Sequence, residues 1–591
     1  MKRNGIKRSG IKRSVISGML AAVMLAACLS GCAGNKEKPA DETAQETEAA
    51  AEEQAGPEEQ AESEVQAGAE AESAANTAQA AGILPAYTLR EYTNSEMEGY
   101  YIIAGGVYDI PELTEEAKAA YPGLDASLQA AGAEIEKQAK DQFDEIENAA
   151  ELYLKDFQDD MKDFPAGDME RKIETVRCDS SVLSFFQTVS TYYPGAAHGL
   201  VGYTGYNYDP ATGSPIAITD VVKDLSAMAP AVSENLVTLA DGVPFTDVQT
   251  PLEEYFDQNS GELSWVIDRD GIVFRFAPYE IAPYAAGTIE ARVRFDKYPE
   301  LFTGKYGAAD GAYAKMLAPH FYNAMDLNGD GETEYLAVSG IGGNMDTYTY
   351  NTSIQVIAGD RECTVEDSFY SLRAAFARAE DGGSYVYVET TTDNDYNYMH
   401  VFEIRDGEPV YVGKMDGTGF AWIYRVPDGR YSEPYDPSDK GDFDQDLESD
   451  DWKEDEYSQL FPLLDPAAFA LDTRMDLMST YSAIRFYECG EDGMPSPLTD
   501  YYEIDTSYRL TALMDMEVEL VDPESGELSG GKTTLTEGTV CSLWRTNGTD
   551  TVDLKTEDGQ CFRLYVTRGQ WPQTVNGIPL EEAFSGVVFA G

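Results

Sequence analysis

Asp326, Asn328, Asp330 and Glu334 stand at positions 1, 3, 5 and 9 of the stretch DLNGDGETE, with Gly331 at position 6. Alternating oxygen ligands of this kind hold hard cations, a glycine makes the sharp turn, and the main-chain carbonyl of position 7, here Glu332, usually completes the set. Position 12 is Ala337, not the bidentate glutamate of a helix-flanked calcium loop, and the next residues, YLAVSG, read as strand. The spacing predicts a structural calcium ion held by Asp326, Asn328, Asp330, Glu332 and Glu334, with Asp346 or water as a further ligand. Asp442, Asp444 and Asp446 share the spacing but lack the glycine, and read as part of a solvated linker.

Gly526 to Thr533, GELSGGKT, fits the phosphate-loop pattern G-x-x-x-x-G-K-[ST] letter for letter. That chemistry needs a helix whose amino terminus faces the phosphates. The chain continues instead as TTLTEGTVCSLW, rich in β-branched residues, so Lys532 and Thr533 read as the exit of a glycine-rich hairpin and no nucleotide is expected. Ser529-Gly530-Gly531-Lys532 matches S-x-x-K and fails for the same want of a helix. His198, His320 and His400 are the only histidines, and none forms an H-x-x-x-H pair. No catalytic constellation emerges.

The chain opens with six Lys or Arg and no acid in MKRNGIKRSGIKRS, followed by the apolar VISGMLAAVMLAACLS. These are the charged and hydrophobic regions of a secretory leader. The run ends in Leu29-Ser30-Gly31-Cys32, which resembles the lipobox of bacterial lipoproteins. The resemblance implies cleavage before Cys32, a diacylglycerol on its thiol, and a mature chain on the outer face of the cell membrane. Two acyl chains suffice for stable anchoring.

Residues 33–82 are almost all Ala, Glu, Gln, Ser and Gly, without an aromatic residue. They cannot bury enough apolar surface to offset ordering, and read as a disordered acidic tether of about 40 Å. Of the net charge of −64, the leader carries +6 and the tether −11, leaving −59 on residues 83–591. Such a surface repels nucleic acid and attracts cationic proteins and divalent metal. Cys178, Cys363, Cys489, Cys541 and Cys561 are widely spaced, which indicates neither a disulfide scaffold nor a zinc knuckle, although Cys541 and Cys561 could bridge two strands.

The elements that must position these groups alternate in period. EGYYIIAGGVYDI reads as strand, and Leu124 to about Met161 as one long helix with apolar residues three and four apart. RKIETVRC and VLSFFQTVSTYY return to strand, SAMAPAVSENLVTLA reads as a second helix, and Arg269-Asp270-Gly271 joins the strands LSWVID and IVFRFAPY. Pro194-Gly195 and Asp209 to Gly213 carry turn chemistry.

Three stretches then fall in order: Gly-Ala-Ala-His-Gly at 195–199, the subsequent YNYDPATG, and PYEIAPYAAG at 278–287. Together they make residues 98–300 resemble the extracellular domain of lysozyme-sensing anti-sigma factors, which also occurs beside peptidoglycan deacetylase domains. The resemblance implies an α/β fold of helices on an antiparallel sheet, and direct binding of lysozyme. It points to Tyr193, His198, Gly199, Tyr279 and Tyr284 as ligand-binding residues. Two departures limit it: a lipid anchor replaces the membrane span and sigma-binding segment, and the deacetylases' Asp-His-His metal set is missing. The Asp326 loop, in turn, looks like the calcium loops of β-repeat proteins such as integrin-type propeller blades.

The expected class is α+β: a lysozyme-sensor-like α/β domain at 83–302, a β-rich domain with the calcium-type loop at 303–433, an acidic linker at 434–456, and a C-terminal β-rich domain at 457–591. The function expected is non-catalytic binding of lysozyme or another cationic protein at the cell surface. The rivals are a peptidoglycan or carbohydrate binder, and a wall-modifying enzyme with its site in 303–591.

Overall fold

The computed structural model describes residues 82–157, 160–258, 263–343, 350–393, 396–425, 456–504, 509–569 and 571–589. Cys32, the tether, Asp346 and the Asp442, Asp444, Asp446 cluster lie outside the described residues. The fold is mostly β, with several sheets and few helices.

Strands β1 (Tyr87–Glu98) and β2 (Tyr101–Leu113) form an antiparallel hairpin. The chain then crosses the sheet through α1 (Glu115–Ala120) and α2 (Pro122–Asp156) to β3 (Gly167–Cys178), followed by β4 (Leu183–Tyr192) and β5 (Leu200–Tyr208). Proline in its first turn starts α2, and Leu124, Leu128, Ile135, Ala139, Phe143 and Ile146 bury one face at helical spacing. Because a helical crossover returns the chain to the end it left, β3 pairs parallel to β2. The sheet is therefore mixed, which corrects the expectation of a purely antiparallel one.

A second sheet comes next, ordered β6-β9-β8-β7: β6 (Leu236–Thr238), β7 (Trp265–Ile267), β8 (Gly271–Phe276) and β9 (Ile289–Arg294). It packs with the short helices α3 (Ile218–Val221), α4 (Ala229–Glu234) and α5 (Leu252–Gln258), around Val232, Phe256, Ile272, Phe274 and Val293. The helix expected through 226–240 stops at Glu234, because Leu236–Thr238 pairs with Ala291, Glu290 and Ile289 instead. Pairing with a sheet overrides the helical pattern there. The two sheets meet where Gly205 of β5 crosses β7: a Cβ on Gly205 would stand 1.9 Å from the Trp265 carbonyl oxygen.

The middle of the chain forms two sheets around a shared core of Leu336, Val338, Ile354, Val356, Phe376 and Phe402. One contains β10 (Tyr313–Leu317), β15 (Ser371–Arg378), β16 (Ser384–Thr392), β17 (Tyr396–Arg405) and β18 (Glu408–Asp416). The other contains β11 (Asn323–Met325), β12 (Glu334–Ile341), β13 (Asn351–Ala358) and β14 (Arg361–Phe369).

Beyond these, sheet pairing runs between regions. β19 (Thr418–Phe420) pairs with Phe469–Leu477, in a 14-stranded network that holds the C-terminal strands. β20 (Trp422–Arg425) pairs with β21 (Tyr457–Leu460), and β21 pairs with β1, so the first sheet has seven strands. Gln459 Nε2 donates to Thr88 Oγ1 at 3.1 Å, across 371 residues of sequence.

Candidate functional site

Two connections meet beside the first and second sheets. The β4–β5 turn carries His198 and Gly199, and the β8–β9 connection carries Tyr279 and Tyr284. His198 Nδ1 lies 2.8 Å from the Gly199 carbonyl oxygen, and Tyr284 donates its hydroxyl to that same carbonyl at 3.1 Å, 85 residues away in sequence. The carbonyl can only accept, so Nδ1 carries the proton. Ring centroids lie 4.1 Å apart for His198–Tyr284, 5.4 Å for Tyr279–Tyr284 and 6.3 Å for His198–Tyr279. Tyr279 is held at φ 77° and remains 57% exposed. A left-handed tyrosine is uncommon and is stabilised by its surroundings. Here Tyr279 N donates to the Ala282 carbonyl at 3.0 Å, and Glu280 accepts from Ala277 N at 3.0 Å and from the Tyr255 hydroxyl at 3.2 Å. Burial pushes the Glu280 carboxyl above its ordinary range.

Tyr193 does not join this cluster. Its hydroxyl donates to Glu145 Oε2 on α2 at 3.3 Å, and its ring packs against the core between α2 and the first sheet. A buried ionic seam also joins the two sheets. Arg275 of β8 donates to Glu174 of β3 at 2.7 Å and to Glu290 of β9 at 3.0 Å, with its guanidinium 4.2 Å from the Phe186 ring centroid.

The Asp326 loop takes up the turn its spacing predicts, with Gly329 and Gly331 both at φ 83°. Asp326 accepts from Gly329 N at 2.6 Å and Gly331 N at 3.0 Å, Asn328 from Asp330 N, and Asp330 from Glu332 N, each at 2.8 Å. Glu334 reaches back to accept from Leu327 N at 2.8 Å. These bonds orient the oxygens and leave further lone pairs on each carboxylate. Cations of the protein already flank the loop: Arg378 lies 3.9 Å from Asp326, and Lys297 lies 2.9 Å from Glu332. Among the described residues, no group of three or more His, Cys, Asp or Glu side chains is arranged to hold a metal ion.

A carboxylate-rich sheet face was missed by reasoning from sequence. Lys172 of β3 lies 2.6 Å from Glu91 of β1 and 3.3 Å from Asp109 of β2. Burial raises the nearby Asp168 carboxyl to about 6 and the Glu170 carboxyl to about 7. The signal was present as Asp168, Glu170, Lys172 and Glu174 at every second position, one face of a strand. A second missed cluster surrounds His400, which lies 3.1 Å from Asp367 and 3.2 Å from the Tyr411 hydroxyl and joins the two sheets of the middle region.

In GELSGGKT, Gly526 and Glu527 end the turn after strand Met516–Val521, and Leu528 to Thr533 lie within the returning strand Leu528–Leu535, where Lys532 pairs with Glu517 at 2.8 Å. All five described cysteines are free. The strand Thr551–Thr556 separates Cys541 from Cys561. Two strand spacings of about 4.8 Å exceed the reach of a disulfide, which corrects the bridge considered from sequence.

No curated protein matches the chain. Two crystal structures of DUF3298 family proteins are similar to part of it. One, from Bacteroides fragilis, is 17% identical with a TM-score of 0.29, covering 38% of this chain and 95% of its own. The other, from Pseudomonas aeruginosa, is 15% identical with a TM-score of 0.24, covering 38% and 98%. Residues 220–296 match the family model described as "Protein of unknown function (DUF3298)". The chain thus carries a DUF3298 domain that includes the second sheet and the Tyr279–Tyr284 loop, while His198 and Gly199 lie before it.

Proposed function

We propose that this is a non-catalytic binding protein, held at the outer face of the cell membrane through lipid on Cys32, whose ligand is lysozyme or another cationic protein. The observation that carries the reading is the convergence of His198, Tyr279 and Tyr284 into one partly exposed aromatic cluster. Aromatic side chains of this kind anchor protein interfaces, because they present large, stiff, amphipathic surfaces. The charge of −59 on residues 83–591 supports a cationic partner by raising the encounter rate. Calcium at the Asp326 loop belongs to the proposal in a structural role, because its oxygens are already oriented by backbone donors.

Immobilised residues 83–591 should retain hen lysozyme at low salt, with an association rate that falls as salt rises. Tyr284→Ala should weaken binding about tenfold while leaving the melting temperature nearly unchanged, as expected for a partly exposed aromatic anchor. Failure of the intact ectodomain to retain lysozyme at low salt removes the lysozyme reading. Unchanged binding by Tyr284→Ala moves the contact elsewhere on the surface.

A further inference from the structure

The C-terminal network closes on a cavity of about 280 Å³, walled by Trp571, Phe589, Leu513, Pro572 and Val587. Its rim is unusually apolar for an exposed surface: Trp571 is 68% exposed and Leu513 43%. The Trp571 and Phe589 rings meet at 77° with centroids 4.8 Å apart, making an aromatic corner. Among the described residues, Glu581 is the one charged group lining the cavity, and neither lysine nor arginine contributes to it.

The polar group deepest in the wall is already committed. Gln573 accepts from Met478 N at 2.9 Å and donates to the Asp476 carbonyl at 2.7 Å, so its amide fixes the wall and is not available to read a ligand. A neutral sugar needs several convergent polar groups to set its orientation, and this cavity offers few. Aromatic faces beside a single carboxylate suit a cation with an apolar stem. The acidity of the body favours the same charge. The geometry points to this cavity as a docking site for a lysine or arginine side chain of a cationic polypeptide. The site is separate from the aromatic cluster of the N-terminal region and stands without it.

The full chain labelled with 5-fluorotryptophan tests this, with the Trp571 resonance assigned through Trp571→Phe. Acetyl-Ala-Ala-Lys-Ala-Ala-amide, at concentrations on the order of millimolar, should shift that resonance saturably. The same peptide with glutamine in place of lysine, and glucose, should leave it unmoved. Glu581→Gln, at an exposed position that the fold tolerates, should weaken the lysine peptide about tenfold. Tyr284→Ala should leave the response intact, which separates this site from the lysozyme reading. An equal shift with the glutamine peptide or with glucose overturns the proposal, as does a lysine response unaffected by Glu581→Gln or no saturable shift at all.

Discussion

The aromatic cluster and the acidic loop are built in opposite ways. The five loop residues that the spacing picks out, Asp326 to Glu334, lie within nine consecutive positions, and backbone donors of the same stretch hold most of their oxygens. His198 and Tyr284 instead share one carbonyl across 85 residues, and their meeting depends on how two sheets dock. A local motif can keep its shape while its surroundings loosen. A convergent one depends on the contacts that dock the two sheets, and Arg275 between Glu174 and Glu290 is one of these.

Arg275→Met should therefore strike the convergent cluster and spare the loop. Removing the guanidinium strands two carboxylates in a buried seam, at a cost of about 3–5 kcal/mol, read by urea unfolding. The pH dependence should change as well. Burial alone would raise the Glu174 carboxyl, yet Arg275 overrides it and holds the carboxyl below its ordinary 4.5. In the native chain, that stabilisation is present above the unfolded value and lost as pH falls through the folded one. In Arg275→Met the pull of Arg275 is gone and only the charge of Lys315 still opposes burial, so the folded value moves up and the deficit should shrink as pH falls toward 4. Lysozyme binding should fall with the seam, and any calcium response should survive. Loss of both together would show that the loop is no more independent than the cluster.

Legibility in the sequence divides along the same line. The long helix lies at Pro122–Asp156 because its apolar residues recur locally, and the Arg269-Asp270-Gly271 connection joins β7 to β8 as its turn residues predict. GELSGGKT could be set aside because the residues after it are β-formers. The parallel pairing of β2 with β3 was hidden, since it depends on where a crossover lands. So was the attachment of β21 to β1, which no local pattern encodes across 371 residues. The resemblance groups Tyr193 with His198, yet the turn between them sends one ring to Glu145 on the long helix and the other to Tyr284.

The carboxylate face of β3 is convergent too, and Glu170→Gln tests whether it is as enclosed as it looks. With a folded value near 7 against an ordinary 4.5, Glu170 makes the native state bind more protons between those values. Stability from this group thus declines as pH rises from about 4.5 through 7. Glu170→Gln should abolish that decline and stabilise the protein at pH 8 by about 1 kcal/mol, a discounted figure because water still reaches the side chain.

For the local loop the expected effect is smaller. Calcium should raise the melting temperature of the chain by a few degrees over chelator, by mass action on the folded state. Asp326→Ala with Asp330→Ala should lose that response while keeping lysozyme binding, which would hold the two sites apart. Identical melting with calcium and with chelator would leave the loop as a turn held by its own backbone donors and flanking cations.

The smallest effect belongs to Lys532→Ala. Lys532 sits on an exposed strand edge, paired with Glu517 at 2.8 Å, and solvent-exposed pairs of this kind contribute little to stability. The substitution should leave the melting curve in place, and a fluorescent ATP analogue should bind neither the parent nor the variant. Gly530 is the residue that resolves the pattern match physically. It stands at φ 72° within a run of strand, where a phosphate loop would be turning its amides inward ahead of a helix. Eight letters reproduce the pattern, but Leu528 and Lys532 to Leu535 pair with a neighbouring strand, and the next element is the strand Val540–Thr546, not a helix whose amino terminus could face a phosphate.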